Sequence, residues 1–372
     1  MTSNSAAWLN EPFAQLKVAD APSVPPEAGQ IQVRNRAVAI NPIDRYKQKM
    51  GNPLYGWLRY PMILGFDLAG EVVAVGPGVT RFEVGDRVVG HATGMEKVRN
   101  KSSESAFQIY SNVMAYMASP IPDTMTFEAA TVLPLALSTA ACGLFAKDQL
   151  DLELPTSPTT DKGRTLLVWG GSTSVGCNAI QLGKAAGYRI VTTASPHNFG
   201  YLKKLGADEV HDYNGGDAAT RVANALDGYT LAGAVAMGAR SAQACIAVLG
   251  ASEGNKKVAL ATFPVDIDAM PDRPNVWTLM TRMAPKMMIS NGGIWIAAKR
   301  KGVRLSSIWG SALMDTDLGP AIYESFLPDA LRTGRFVAAP PPLVVGHRLE
   351  AIQPAFERQK KGVSAAKIVV TL

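Results

Sequence analysis

The stretch Thr165-Leu-Leu-Val-Trp-Gly-Gly-Ser-Thr-Ser-Val-Gly176 constrains the fold of this chain more than any other. A short apolar run ends in a turn of small residues, and Cys177-Asn-Ala-Ile-Gln-Leu-Gly-Lys-Ala-Ala-Gly187 continues it with helical character. A strand that turns on glycines into a helix brings backbone N–H groups close to whatever lies at the helix N-terminus. Partial positive charge there favours an anion such as a pyrophosphate. Aligned on Gly176, the G-x-G-x-x-G fingerprint reads Gly171-Ser-Thr173-Ser-Val-Gly176, with Thr173 at the middle glycine. A Cβ at that position holds the backbone slightly away from a pyrophosphate, while its hydroxyl is free to donate to phosphate. About eighteen residues beyond Gly176, the next strand ends in Thr193-Ala-Ser-Pro-His197, without a carboxylate. An acidic residue at that point binds the ribose 2′-hydroxyl of NAD, so its absence points to NADP.

These features nominate Gly171, Ser172, Thr173, Ser174, Val175 and Gly176 for the pyrophosphate, chiefly through backbone donors. Ser195, His197, Asn198 and, at the end of the third strand, Tyr213 are the candidates for a 2′-phosphate. Two plainer readings stay open. Ser195-Pro196 also suits a simple turn with a helix cap, and His197 an exposed residue of a first helical turn.

At 372 residues the chain exceeds one ordinary core, so two domains are expected. Residues 1–135 read as β-rich: Gln30–Ile40 alternates apolar and polar, and Gly70–Gly76 and Gly85–Gly90 are short strands bracketed by glycines. Phe127–Phe145 turns helical, with Pro134 starting or kinking a helix. From Arg164 onward, strand candidates at 165–169, 188–194, 209–213, 231–237, 257–262 and 303–308 alternate mostly with helices, the pattern of a doubly wound parallel sheet. Phe263–Lys301, rich in Met, Pro and Trp, reads as a long irregular insertion. The end carries helices near 316–333 and 349–360, a Pro-rich turn at 340–342 and a final strand, 366–372. This order fits a cofactor domain (138–314) inserted between two parts of another domain (1–137 and 315–372).

Composition narrows the setting. Hydrophobic residues at 47% and charged residues at 18% describe a globular chain, and no apolar run approaches the roughly 20 residues that span a bilayer. The N-terminus lacks a secretory pattern. Cys142, Cys177 and Cys245 fit neither a disulfide framework nor a metal spacing, which favours a reducing, cytoplasmic home. The net charge of +6 is spread in small clusters that match no nucleic-acid module, so neither nucleic acid nor membrane is an expected partner.

Ala39-Ile-Asn-Pro-Ile-Asp44, Leu64-Gly-Phe-Asp-Leu-Ala-Gly-Glu-Val-Val73, Val84-Gly-Asp-Arg-Val88, the Gly-rich turn, Leu205-Gly-Ala-Asp208 and Lys367-Ile-Val-Val370 follow one another along the chain. By these motifs, in this order, the chain resembles the medium-chain dehydrogenase/reductases over nearly its whole length. Gly-Gly-Ser-Thr at 170–173 with Ala-Ser-Pro-His-Asn-Phe at 194–199 resembles a narrower branch. That branch holds fungal enoyl reductases acting in trans on polyketide synthases, together with quinone-oxidoreductase-like relatives. The resemblance implies an α/β protein: a GroES-like β-rich catalytic domain, an inserted Rossmann domain, and an active site in the cleft between them. Zinc-dependent members carry an early Cys and a Gly-His-Glu motif, where this chain has Asn41-Pro-Ile-Asp44 and Gly65-Phe66-Asp67. The four-cysteine structural zinc lobe is also missing, and His91 stands alone, so the chain reads as zinc-free.

Without zinc, hydride transfer needs an acceptor that is already electrophilic, or a protein donor for the developing oxyanion. The expected reaction is NADPH-dependent reduction of an activated C=C bond, with quinone or carbonyl reduction, or dinucleotide binding without turnover, as alternatives. Asn41, Tyr46, Lys47 and Tyr55 are the catalytic candidates, lying where relatives line the cleft. Tyr46 and Tyr55 read equally as packing residues with wet tips. By the resemblance Asp44 orders its loop, Asp67 is structural, and Thr139 lies near the nicotinamide; as a buried helical threonine Thr139 bonds its own backbone instead. The implied partners are an apolar substrate, free or on a carrier, and a synthase, with the chain a monomer or homodimer. Met270, Met280, Met283, Met287 and Met288, with Trp277 and Trp295, suit either an adaptable apolar pocket or a core flap.

Overall fold

The computed structural model describes residues 3–262, 266–271, 273, 275, 277 and 279–372, with the backbone alone for 282, 283 and 286–291. It divides into two compact units: Met1–Leu135 with Asp266–Arg282 and Gly319–Leu372, and Ala136–Val265 with Met283–Leu318. The segment Asp266–Arg282, read from sequence as part of the cofactor domain, thus packs within the first unit. Its anchor is charge. Arg45 grips the Asp268 carboxylate with both terminal nitrogens, and Lys49 Nζ donates to the Asp268 carbonyl at 3.0 Å.

The first unit is built on Gln30–Ala39, a ten-residue strand that changes partner along one flank. Residues 30–34 pair with Tyr110–Met114, and residues 37–39 pair with the closing strand Lys367–Thr371. The other flank pairs with Asp67–Val75, which leads on to Arg87–His91 and Ala118–Pro120. These pairings are antiparallel; only Pro342–His347 runs parallel to Lys367–Thr371. Gln30–Ala39 alternates imperfectly because most of its side chains are buried, and register shifts between Gln32/Val33 and Asn35/Ala37 bend it. A smaller antiparallel sheet is ordered Lys17–Ala21, Asn4–Leu9, Met62–Ile63.

The second unit is a parallel sheet ordered Glu209–Asp212, Arg189–Ala194, Thr165–Trp169, Thr230–Ala236, Lys257–Leu260, Arg304–Ser307. Numbered by sequence this is 3-2-1-4-5-6, the Rossmann order, with its switch point beside Thr165–Trp169. The central strands are continuous apolar runs because helices cover them. Leu167, Val191, Ala234 and Val258 share a core with Cys245, Val248 and Leu249 of the Ser241–Ala251 helix. The cysteines Cys142, Cys177 and Cys245 are buried free thiols, and burial pushes each thiol up, to about 12 for the first two.

Phe263–Lys301 is not irregular throughout. Ala284–Arg300 is a seventeen-residue helix, with Pro285 in its first turn, Lys299 and Arg300 in its last, and Gly302 beyond at φ 67°. The end signals outweigh the missing apolar stripe. The Pro-rich turn read at 340–342 opens a strand, Pro342–His347. Phe127–Phe145 is long and apolar enough by composition to cross a membrane, but most of it is buried inside the protein.

Candidate functional site

In the first unit the catalytic candidates lie on the Pro42–Leu54 helix and the turn after it. Pro42 at the first helical position starts that helix with its φ preset. Asp44 completes the start: the Asn41 backbone N–H donates to its Oδ2 at 2.8 Å. The Asn41 side chain is used elsewhere. Its Nδ2 donates to Asp67 Oδ2 at 2.8 Å, and its Oδ1 accepts from Lys367 Nζ. Lys367 Nζ also stands 3.0 Å from Asp67 Oδ2, and the Leu135 N–H donates to Asp67 Oδ1 at 2.7 Å. Asp67 is fully enclosed and has a partner on each oxygen. Lys367 went unnoticed as a site residue. The available signal was a lysine opening an otherwise apolar strand, Lys-Ile-Val-Val, where a charge is buried only if paired.

Asp44 is also enclosed, and its Oδ1 has no hydrogen-bond partner among the described residues. Burial pushes its carboxyl up to about 7, reinforced by the neighbouring Asp67. His91, at the end of Arg87–His91, packs its ring edge against Phe66 at 5.8 Å, and burial holds its imidazole down at about 4. Among the described residues no three His, Cys, Asp or Glu side chains stand together as a metal-binding group.

Lys47 projects into an aromatic box. Its Nζ lies 5.0 Å from the Phe66 ring centroid, 5.6 Å from Tyr55 and 5.8 Å from Trp57. It donates to the Met95 carbonyl at 3.0 Å, with Glu96 3.9 Å away, and burial lowers its affinity for the proton. Tyr55 stands edge-on to Trp57. It is only 2% exposed, so its tip is dry rather than wet, and its hydroxyl has no partner among the described residues. Burial raises its pKa well beyond the ordinary tyrosine range, so the hydroxyl stays protonated at any working pH. Tyr46 is half-buried, with the Arg45 guanidinium 4.9 Å over its ring. Lys47 and Tyr55 are therefore brought together, Asn41 belongs with Asp67 and Lys367, and Tyr46 sits with the Arg45–Asp268 anchor.

In the second unit the Gly-rich turn sits where the strand order reverses. Gly170 takes φ 93°, and a Cβ built on Gly176 would lie 2.3 Å from the Gly170 carbonyl oxygen. A Cβ on Gly171 would strike Thr192 Oγ1 at 2.2 Å. Both glycines are needed for strand and helix to meet this closely. Thr173 caps the Ser174–Ala185 helix: its Oγ1 accepts from the Gly176 N–H at 3.0 Å and donates to the Gly170 carbonyl at 2.8 Å. The expectation that this hydroxyl is free for phosphate is therefore corrected, because the turn itself consumes it. The N–H groups of Ser174 and Val175, in the first turn, have no intrahelical acceptor and remain for an anion. Ser172 is half-buried within the turn.

Ser195 follows Arg189–Ala194, and Tyr213 follows the adjacent Glu209–Asp212; Ser195 Oγ and the Tyr213 hydroxyl meet at 3.1 Å. Pro196–Asn198 is a single 3-10 turn, with His197 exposed and Asn198 buried. Asp212, the carboxylate nearest in sequence, accepts from the Asn214 backbone and side chain. Thr139 is half-buried on the Pro134–Phe145 helix. Trp277, Met280 and Trp295 are exposed, Met270 is half-buried, and the side chains of Met283, Met287 and Met288 lie outside the described residues.

The GroES-like domain of alcohol dehydrogenases matches residues 27–133. The chain is 47% identical to the dehydrogenase pigH of Monascus ruber, over the full length of both proteins. The chain is a medium-chain dehydrogenase/reductase. Within that family it is also 33% identical to the trans-enoyl reductase himH of Aspergillus japonicus, across 99% of this chain and 97% of that protein. The CurK enoyl reductase shares the medium-chain dehydrogenase/reductase fold at a TM-score of 0.70 and 18% identity, with 100% of this chain and 99% of that one covered. The protein is thus an oxidoreductase with the two folds its motifs implied, GroES-like and Rossmann-like.

Proposed function

We propose that this medium-chain dehydrogenase/reductase uses NADPH to reduce an activated carbon–carbon double bond, in an enoyl thioester or an enone, without zinc. The observation that carries the reading is the commitment of Asp67. In the segment where zinc-dependent members hold metal, this carboxylate is held by the Lys367 ammonium, the Asn41 amide and the Leu135 N–H. A carboxylate already neutralised by an ammonium, with no Cys beside it, makes a poor zinc ligand, which favours an acceptor activated by its own conjugation. Relatives named trans-enoyl reductase support an enoyl group as that acceptor. A carrier-bound substrate presented by a synthase in secondary metabolism is the setting we propose for it.

The turn residues fit a dinucleotide. Gly171 and Gly176 let strand and helix pack closely enough to form the turn, and the Ser174 and Val175 N–H groups at its helix N-terminus suit a pyrophosphate. The hydroxyl pair Ser195–Tyr213, at the strand end where a ribose-binding carboxylate would stand, favours a 2′-phosphate over a 2′-hydroxyl. When bound, the nicotinamide supplies the hydride. The chain's own part is to steady the charge that develops on the acceptor's carbonyl oxygen and to deliver a proton to carbon. Tyr55 is the hydrogen-bond donor we assign to that oxygen: its hydroxyl makes no recorded internal bond and its ring lies beside the Lys47 ammonium.

The reading is tested by following NADPH absorbance with the purified chain and a panel of enones, enoyl thioesters, quinones and aldehydes. NADH is run in parallel, each with and without a chelator. Oxidation with the conjugated alkenes, preferring NADPH and indifferent to chelator, is expected. A requirement for zinc, a preference for NADH, or turnover confined to quinones or aldehydes would overturn it.

A further inference from the structure

Residues 193–202 grip the Gly-rich turn at both of their ends. At the first end the Gly171 N–H donates to the Thr193 carbonyl at 2.9 Å, and the Gly170 N–H to Thr193 Oγ1 at 3.0 Å. At the other end Leu202, fully enclosed, lies over Gly171, where an added Cβ would stand 3.2 Å from Leu202 Cδ1. Tyr201 reaches the same glycine through sulfur. Cys177 Sγ donates to the Gly171 carbonyl at 3.4 Å and meets the Tyr201 hydroxyl at 3.8 Å. Because the thiol proton is committed to that carbonyl, the Tyr201 hydroxyl is the donor to sulfur. Between these two attachments stand Ser195, His197 and Asn198, the candidates for a 2′-phosphate. They are joined to Tyr201 without a break, since the 3-10 turn Pro196–Asn198 runs directly into the helix Phe199–Lys204.

Packing does not account for the Tyr201 hydroxyl. Leu202 already seats the short helix on the turn, and packing alone gives no reason for a half-buried ring to direct its polar tip at an enclosed thiol. On the NADPH reading above, we propose that Tyr201, acting through Cys177, is a positioning residue for cofactor choice. The chain of bonds from Tyr201 through Cys177 to Gly171 fixes residues 195–198 at one distance from the pyrophosphate turn, so both phosphate sites are presented together. A dinucleotide with a 2′-phosphate uses both sites and depends on that spacing; one with a 2′-hydroxyl depends on it less. Thr193 keeps the first attachment when the second is cut, so the fold survives loss of the hydroxyl.

The test is calorimetric titration of the full chain with NADPH and with NADH. Tyr201→Phe keeps the ring and removes the hydroxyl; it should narrow the NADPH-to-NADH affinity ratio by about threefold to tenfold. Cys177→Ala should narrow it similarly, and the double variant no further than either single change. A ratio that Tyr201→Phe leaves unchanged would overturn the proposal, as would equal losses for the two cofactors. Independent effects that multiply in the double variant would overturn it too. A wild type that binds NADH as tightly as NADPH would instead remove the cofactor reading itself, and this proposal with it.

Discussion

At position 67 a buried carboxylate is held by one ammonium and two N–H donors, and removing the ammonium leaves that charge stranded. Lys367→Met should destabilise the protein by about 3–5 kcal/mol in denaturant unfolding. Pairing it with Asp67→Asn should cost less than the sum of the two single changes. Strict additivity would show that the contact contributes nothing. Asp44 and His91 carry opposite pH signatures. The Asp44 carboxyl, raised from 3.8 to about 7, keeps its proton in the folded state, so its contribution is full below pH 3.8 and is lost as pH rises through 7. His91, lowered from 6.5 to about 4, contributes fully above pH 6.5 and loses that contribution as pH falls through 4. Each slope is about 1.4 kcal/mol per pH unit, and between pH 4 and 6.5 they oppose each other. Asp44→Asn should therefore gain on the wild type as pH rises from 4 to 7, and His91→Gln should gain as pH falls from 6.5 to 4. Parallel melting curves across pH would contradict both assignments. Tyr55→Phe separates donor from packing. As donor, its loss should lower kcat by about a hundredfold with KM little moved, in a protein as stable as before or more so. Unchanged kcat would make Tyr55 a packing residue.

The Ser174–Ala185 helix begins where Thr173 caps it, so the threonine at the middle position of the fingerprint serves the element rather than the ligand. Thr173→Val should cost about 1 kcal/mol of stability, and Thr173→Gly only a few tenths. Gly176→Ala should do far more, because its Cβ would meet the Gly170 carbonyl at 2.3 Å; loss of dinucleotide binding by calorimetry is the readout. Most strands were legible. Thr165–Trp169 was read to the residue, because a fully buried parallel strand is an unbroken apolar run between glycine signals. Pro342–His347 was not, because exposed valines after a proline run look like a turn. The Ala284–Arg300 helix is hidden for the converse reason: its glycines and scattered methionines supply no apolar stripe at helical spacing. The site candidates were named from local motifs. Lys367 eluded that reading because it reaches Asp67 across 300 positions of sequence, through strand pairing alone.

At the scale of the whole molecule, family and fold follow from motifs in order, whereas the choice of acceptor rests on a few polar side chains. Asp67 is paired with Lys367, the Tyr55 hydroxyl stays protonated, and Ser195 pairs with Tyr213 in place of an acid. Together they underlie our proposal that hydride passes from NADPH to the far carbon of a conjugated double bond. The most direct measurement is the position of the label after turnover of an enoyl thioester with NADPH deuterated at the transferable site, read by mass spectrometry and NMR. Deuterium on the β-carbon of a saturated thioester is the predicted result. Deuterium on the carbonyl carbon of a reduced product, or turnover that proceeds with NADH in preference to NADPH, would contradict it.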